Sequence, residues 1–418
     1  DLLFKEDIMP NLESIAKAGC VENLDSVLPC QSAAAWTSFY TGKEPDEHEV
    51  YSFFEYGQDY KDVSVVDSGS IPDDNFFVEL EEEADIYSVK GLMTWPPMLE
   101  NGFVIPGFLT PGKMSFSGEE PDIDLSGWEE DLDNLSKHVR TARNTSEMLS
   151  SRKPALLEIC DRNWDLLFML FSGSDWIQHQ LYDRFIEEEE ISVEWPHVAD
   201  YFSDIDDIIG RLDGEEDLDL YVMSDHGMRS FGKIFYINNW LKEKGFLQTG
   251  GKEKYWDSKM RLSFLQNKYL RAPIRFLYRS LVLSTGIGKL FGHDPLTRNI
   301  RRVLENNLSE KIDFKASKAF VPAEVEGGIH VKDRDTFDEL RQELEKENVF
   351  GSLEFLEENI GRRKPAILFL QDRYKISTNI LGVDFSTMKV NYHDLEGVLI
   401  TRADEKPGSI TDFRQAIS

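Results

Sequence analysis

A chain of 418 residues and 48.2 kDa, 41% hydrophobic and 12% aromatic, can build one large α/β domain with an insertion, or two domains, and is too apolar for wholesale disorder. No run approaches the roughly 18 uninterrupted apolar residues of a membrane span, and no basic-then-apolar leader opens the sequence, so a soluble protein is expected. The 77 acidic residues against 46 basic ones leave a net charge of −31, which disfavours nucleic acid as a partner because phosphate backbones are bound by Lys and Arg.

The acid is spread widely, as in EEE (81–83), EEEE (187–190) and DGEEDLDL (213–220). Such a coat serves solubility, and a salt-loving organism's cytoplasm would select it. Cys20, Cys30 and Cys160 are scattered and lack CxxC spacing, so neither a disulfide framework nor a thiolate zinc site is expected, and a reducing, cytoplasmic compartment fits. The sequence starts at Asp1 without Met and stops at DFRQAIS without a turn or tail signal, and it reads as trimmed.

In chain order, MPNLESIAKAG (9–19) predicts a helix closed by Gly19. In LPCQSAAAWTSFYTG (28–42), Ser32 opens the helix-forming run AAAWTSFY. DLLFMLFSGSD (165–175) is a short apolar strand that ends on an Asp, and LDLYVMSD (218–225) is another of the same kind. Between them, VADYFSDIDDIIGRL (198–212) carries apolar residues at helical spacing and an acidic outer face. In open α/β sheets the ligand crevice lies at the carboxyl ends of the strands, so both Asp residues belong at its rim.

The character changes over 239–320, read as an inserted, basic, mainly helical cap between core segments 1–238 and 321–418. Residues 261–302 hold nine Lys or Arg and one acid, Asp294, with Lys268, Arg271, Arg275 and Arg279 three or four apart on one helical face. Such a stripe is a solvated face, or else it guides an anionic substrate or touches an anionic membrane surface. TFDELRQELEKENV (336–349) then predicts an amphipathic helix of the returning core.

Four side chains suggest metal chemistry. Asp175 and His179 are four apart, so on a helical turn both point one way and can ligate one ion; the alternative is an exposed helix start capped by Asp175. Asp225 and His226 are adjacent and would face opposite sides within a regular strand. Beyond the strand's end, with Gly227 freeing the backbone, both can converge on a cleft, or they form an ordinary turn. Two such pairs suggest a two-ion site with N and O ligands suited to zinc or manganese. Ser32 is either a helix N-cap or, beside such ions, a nucleophile whose alkoxide the helix N-terminus stabilises, with the Ala33 N–H cradling a phosphoryl oxygen.

The order MPNLESIAKAG, LPCQSAAAWTSFYTGKEPDEH, GLMTWPPMLENGFVIPGFLTPGKM, WDLLFMLFSGSDWIQH, YVMSDHGM, FYINNWLKEKGFL and VNYHDLEGVLI resembles the alkaline phosphatase superfamily, in its type I phosphodiesterase/nucleotide pyrophosphatase-like branch. The resemblance implies an α/β fold with a mostly parallel central sheet flanked by helices on both faces, and a metal-dependent hydrolase of phosphate esters. It implies two divalent metal ions, for which zinc, with manganese as the alternative, suits the donors. One would be held by Asp175, His179 and His393, the other by Asp225, His226, the nucleophile Ser32 and an N-terminal Asp. His330, in GGIH, ranks below His393 as the late ligand. Most of the branch carries Thr where this chain has Ser32. The first-strand Asp should lie about five residues before Asp1, so either the strand that carries it is expected to precede the given sequence or the protein has lost that ligand. Non-catalytic binding relatives and phosphomonoesterase or sulfatase chemistry are the alternatives, and oligomeric state is open.

Overall fold

The computed structural model describes residues 2–58, 60, 62–97, 99, 102–107, 123–125, 128, 142–187, 194–215, 218–250, 309–323, 327–347 and 350–417. The basic stretch 261–302, and with it the proposed middle of the cap, lies outside the described residues. Among those described, no helix is long and apolar enough to cross a membrane.

Two three-stranded sheets form the centre. Ile86–Val89 is flanked in parallel by Phe103–Ile105 and Leu166–Met169. In the other, Glu396–Thr401 lies antiparallel between Cys20–Asp25 and Tyr221–Met223. The expected parallel pairing is therefore found in the first sheet and not in the second. The reason is local: Glu396–Thr401 follows Phe385–Asp394 across the single residue Leu395, and so brief a link carries a hairpin-like ribbon forward rather than a parallel crossover.

Alternate residues of Leu166–Met169 and Tyr221–Met223 feed the same two core layers. Leu167, Met169 and Val222 pack with Ile177, Tyr201 and Ile208, whereas Leu166, Phe168, Tyr221 and Met223 pack with Trp36, Phe39 and Phe76. Both strands are half-buried throughout, and each has a paired strand on one side only among the described residues. A third layered core surrounds Trp240, Phe320, Phe337 and Phe369. The described ends of the 239–320 segment, through Trp240, Leu241, Phe246, Leu247, Ala319 and Phe320, are built into it.

The helices follow the expectation with shifted ends. Pro10–Ala18 is closed by Gly19, whose N–H donates to the Ile15 carbonyl. A Cβ on Gly19 would lie 2.0 Å from the Thr401 carbonyl oxygen, so the close approach to the sheet demands glycine. The 198–212 helix extends over Trp195–Asp213 and the 336–349 helix forms as Arg334–Lys346.

Helix Pro10–Ala18 has no side-chain cap of its own. Buried Asp206, from the middle of Trp195–Asp213, supplies one: its carboxylate accepts from the N–H of Asn11 at 3.0 Å and of Leu12 at 2.9 Å. Asp206→Ala is expected to destabilise the fold by about 2–4 kcal/mol, because two N–H groups lose their charged acceptor. A shift of the urea midpoint with an unchanged slope checks this; an unchanged midpoint contradicts it.

Candidate metal centre and nucleophile

Leu166–Met169 is followed after a short turn by helix Gly173–Glu187. Asp175 therefore sits in the helix's first turn rather than on the strand, and His179 follows one turn later on the same side. Their partner comes from far along the chain. Phe385–Asp394 pairs antiparallel with Gly227–Tyr236, with His393 opposite Met228 and Asp394 opposite Gly227. That register sets the His393 ring against His226, stacked with centroids 3.7 Å apart at 22°.

The strand through Tyr221–Met223 does not simply end at Ser224. It resumes at Gly227, and residues 224–226 face residues 395–398 of the neighbouring ribbon in an irregular break. Such a break re-aims side chains, which is how adjacent Asp225 and His226 reach one cleft. Gly227 acts differently from the expectation: its φ is not in the left-handed region, but a Cβ there would lie 2.1 Å from the Glu396 carbonyl oxygen. Close backbone approach, not conformational freedom, selects glycine.

The donor atoms converge. His179 Nε2 lies 3.0 Å from His393 Nε2, and Asp175 Oδ1 is 3.3 Å from the first and 3.5 Å from the second. A tetrahedral ion with bonds of about 2.0–2.1 Å has ligand–ligand edges of roughly 3.3–3.4 Å, close to these separations. Among the described residues this is the one group of three or more such side chains gathered within 4.8 Å. Each imidazole is oriented by its other nitrogen: Nδ1–H donates to the carbonyl of Asn391 from His179 (3.1 Å) and of Cys30 from His393 (2.9 Å). That fixes the tautomer that turns both Nε2 lone pairs inward. Asp175 Oδ1 and Asp225 Oδ2 are buried without a hydrogen-bond donor, as oxygens awaiting a cation would be.

The electrostatics agree. Burial opposes ionisation of Asp175, but the neighbouring His179, with His393 beside it, prevails and holds its carboxyl well below the usual range. Burial pushes the His179 imidazole down, yet Asp175 raises it overall. Burial and the neighbouring His226 push His393 down to about 3, so it is neutral and free to donate a lone pair. Burial, helped by Asp175, raises Asp225 above the ordinary carboxylate value. Two carboxylates whose charges act on each other favour neighbouring cations.

Ser32 joins this group. Its Oγ is 3.2 Å from His226 Nε2, which is 3.4 Å from Asp225 Oδ2. Ser32 is the first residue of helix Ser32–Thr41, and Gln31 holds the N-cap position with no side-chain capping bond, so the capping role considered for Ser32 does not apply. Ala33 is fully buried behind it, in the second helical position. Thr37 and Ser38 are buried too: Thr37 bonds back to the Ala33 carbonyl and Ser38 pairs with His48 at 2.9 Å. Buried His330 lies elsewhere, with its Nδ1 3.0 Å from the Tyr60 hydroxyl among Tyr56 and Phe320.

The sequence reading missed the supporting residues. Asn391 donates to Asp183 (2.9 Å) and to the backbone of the Asp175 helix, and Gln31 donates to the Tyr392 hydroxyl (2.9 Å). Their one signal was adjacency to Ser32 and His393.

An α/β sheet thus brings carboxylates and imidazoles beside a helix-terminal hydroxyl. The chain matches the type I phosphodiesterase / nucleotide pyrophosphatase family over residues 1–349 and belongs to it. Among solved structures it is similar to the phosphonoacetate hydrolase of Sinorhizobium meliloti 1021 in complex with phosphonoacetate, at 14% identity and a TM-score of 0.56, covering 100% of this chain and 91% of that one. It is also similar to the alkaline phosphatase PafA, at 14% identity and a TM-score of 0.50, covering 99% and 91%. No curated protein matches. The fold is thus alkaline phosphatase-like, and family membership supports phosphoester hydrolysis. Enzymes of this superfamily typically depend on divalent metals.

Proposed function

We propose that the protein hydrolyses phosphodiesters or nucleotide pyrophosphates through Ser32 at a site for two divalent cations. The observation that carries this reading is the placement of Ser32 Oγ 3.2 Å from His226 Nε2, in the cleft where Asp175, His179 and His393 gather. Asp175, His179 and His393 would hold one cation, and Asp225, His226 and Ser32 the other; zinc suits these donors, with manganese the alternative. The cations supply charge that lowers the serine hydroxyl's pKa and neutralises the phosphoryl oxygens.

The chain's own groups do the rest. Ser32 Oγ attacks phosphorus in line, a Ser–O–P bond forms, and the bond to the leaving oxygen breaks. Water then attacks phosphorus from the vacated side, releasing the phosphate product and restoring the hydroxyl. The first turn of helix Ser32–Thr41, whose N-cap residue Gln31 makes no side-chain capping bond, would turn its N–H groups, that of Ala33 included, toward the phosphoryl oxygens.

The further carboxylate implied for the second cation has a place in this reading. A strand beside Leu166–Met169 or Tyr221–Met223, each paired on one side only among the described residues, would carry such an Asp toward Asp175 and Asp225. The substrate is a small molecule rather than nucleic acid, and the basic 261–302 region is a candidate guide for it. A net charge of −31 suits a salt-rich cytoplasm.

An aryl phosphodiester is expected to turn over at least about tenfold faster than the matching monoester or sulfate ester. Chelation should stop the reaction and added zinc or manganese restore it. A faster monoester or sulfate reaction would reassign the substrate class. The second reading, a non-catalytic ligand- or partner-binding relative, is favoured by the single complete ligand triad among the described residues. No turnover of any ester by the metal-supplemented protein would select it.

A further inference from the structure

We propose that Tyr392 is a positioning residue that locks the nucleophile helix to the imidazole ligands. The inference rests on the metal-site reading above and concerns how that site is held in shape.

Tyr392 precedes His393 on strand Phe385–Asp394, yet the two rings stack, with centroids 4.5 Å apart at 13°. His393 in turn stacks on His226 at 3.7 Å. Phenol and two imidazoles thus form one run of near-parallel rings that reaches from Tyr392 to the neighbour of Ser32. Besides its Nε2 contacts with His179 and Asp175, His393 is oriented by the hydrogen bond from its Nδ1–H to the Cys30 carbonyl, an arrangement that still lets the ring tilt about the line of those contacts. The stacked phenol removes that tilt and so sets where Nε2 points. Lys375 Nζ lies over the Tyr392 ring, 3.3 Å from its centroid, which holds the phenol itself in place by a cation–π contact.

The phenol also reaches the nucleophile. Its oxygen accepts a hydrogen bond from Gln31 Nε2 at 2.9 Å, and buried Gln31 is the N-cap residue directly before Ser32. That bond holds the Gln31 side chain toward the phenol, and its amide oxygen makes no capping bond to the helix's first N–H groups. One side chain therefore fixes both the angle of a ligand ring and the entry of the Ser32 helix. Polar contact and ring contact can be separated by substitution, which makes the proposal testable.

The test uses the full chain and measures zinc affinity by chelator competition, kcat and KM on an aryl phosphodiester, and thermal stability. Tyr392→Phe keeps the stack and loses the Gln31 bond. It is expected to lower kcat about tenfold, with zinc affinity within about twofold of wild type, as for one lost oriented hydrogen bond. Gln31→Met should reproduce that loss, and the double variant should be no worse than either single one. Tyr392→Leu removes the stack and should weaken zinc about 10–100-fold, as losses of supporting residues at metal sites do. Wild-type kcat in Tyr392→Phe, or additive losses in the double variant, would overturn the proposal, as would unchanged zinc affinity in Tyr392→Leu. A wild-type chain that binds no zinc would instead overturn the metal-site reading beneath it.

Discussion

Ser32→Ala is expected to reduce turnover of an activated phosphodiester by a factor on the order of 10⁴ or more, as removal of a covalent nucleophile does. Metal binding should survive, since Asp175, His179 and His393 are untouched and Ser32 is only one member of the second set. The fold should survive as well, with stability within about 0.5 kcal/mol of wild type. Ser32 occupies the first helical position rather than the N-cap, and alanine favours helix there. Ser38→Ala is the control. Ser38 is buried and paired with His48, so its loss should register in stability and not in the chemical step. Near wild-type turnover by Ser32→Ala would mean that water attacks phosphorus directly.

Asp175→Asn is expected to have the largest effect on cation binding, at least about 100-fold, beyond what supporting residues carry. Its Oδ1 is buried without a donor and faces two imidazole nitrogens, 3.3 and 3.5 Å away. Asparagine keeps the shape and removes the charge that compensates a divalent ion. The same geometry gives the pH dependence its sign. His179 and Asp225 both hold protons more tightly than usual in the metal-free protein, so a cation must displace them, and affinity should fall as pH falls. Calorimetric titration at several pH values checks both statements. Unchanged affinity in Asp175→Asn, or affinity that rises in acid, would contradict them.

The parts of this site written in local spacing could be read directly. Asp175 and His179 are one helical turn apart, and helices preserve that relation wherever they lie. Asp225 and His226 were legible as residues but not in their cause: the ribbon break and the close approach of Glu396 to Gly227 depend on a strand that arrives some 170 positions later. His393 was placed by resemblance alone, because its position beside His226 follows from a strand register that no periodicity encodes. The Asp206 cap on helix Pro10–Ala18 was illegible for the same reason, since an acid in the middle of one helix gives no sign that it serves another. The α/β class followed from alternating segments. The antiparallel strand at the centre of one sheet did not, because it comes from a ribbon whose partner is far upstream. Gln31 and Asn391 carry no acid–base or nucleophilic chemistry by type, no motif gives Tyr392 a role, and only their contacts reveal what they support.

Anomalous diffraction from crystals of the full chain loaded with zinc or manganese addresses the metal site itself. The expected result is one scatterer within about 2.0–2.2 Å of Nε2 of His179 and His393 and of a carboxylate oxygen of Asp175, with a second beside Ser32 Oγ, Asp225 and His226. A cation bound elsewhere, with these five ligand side chains turned to separate surroundings and Ser32 remote from them, would contradict it.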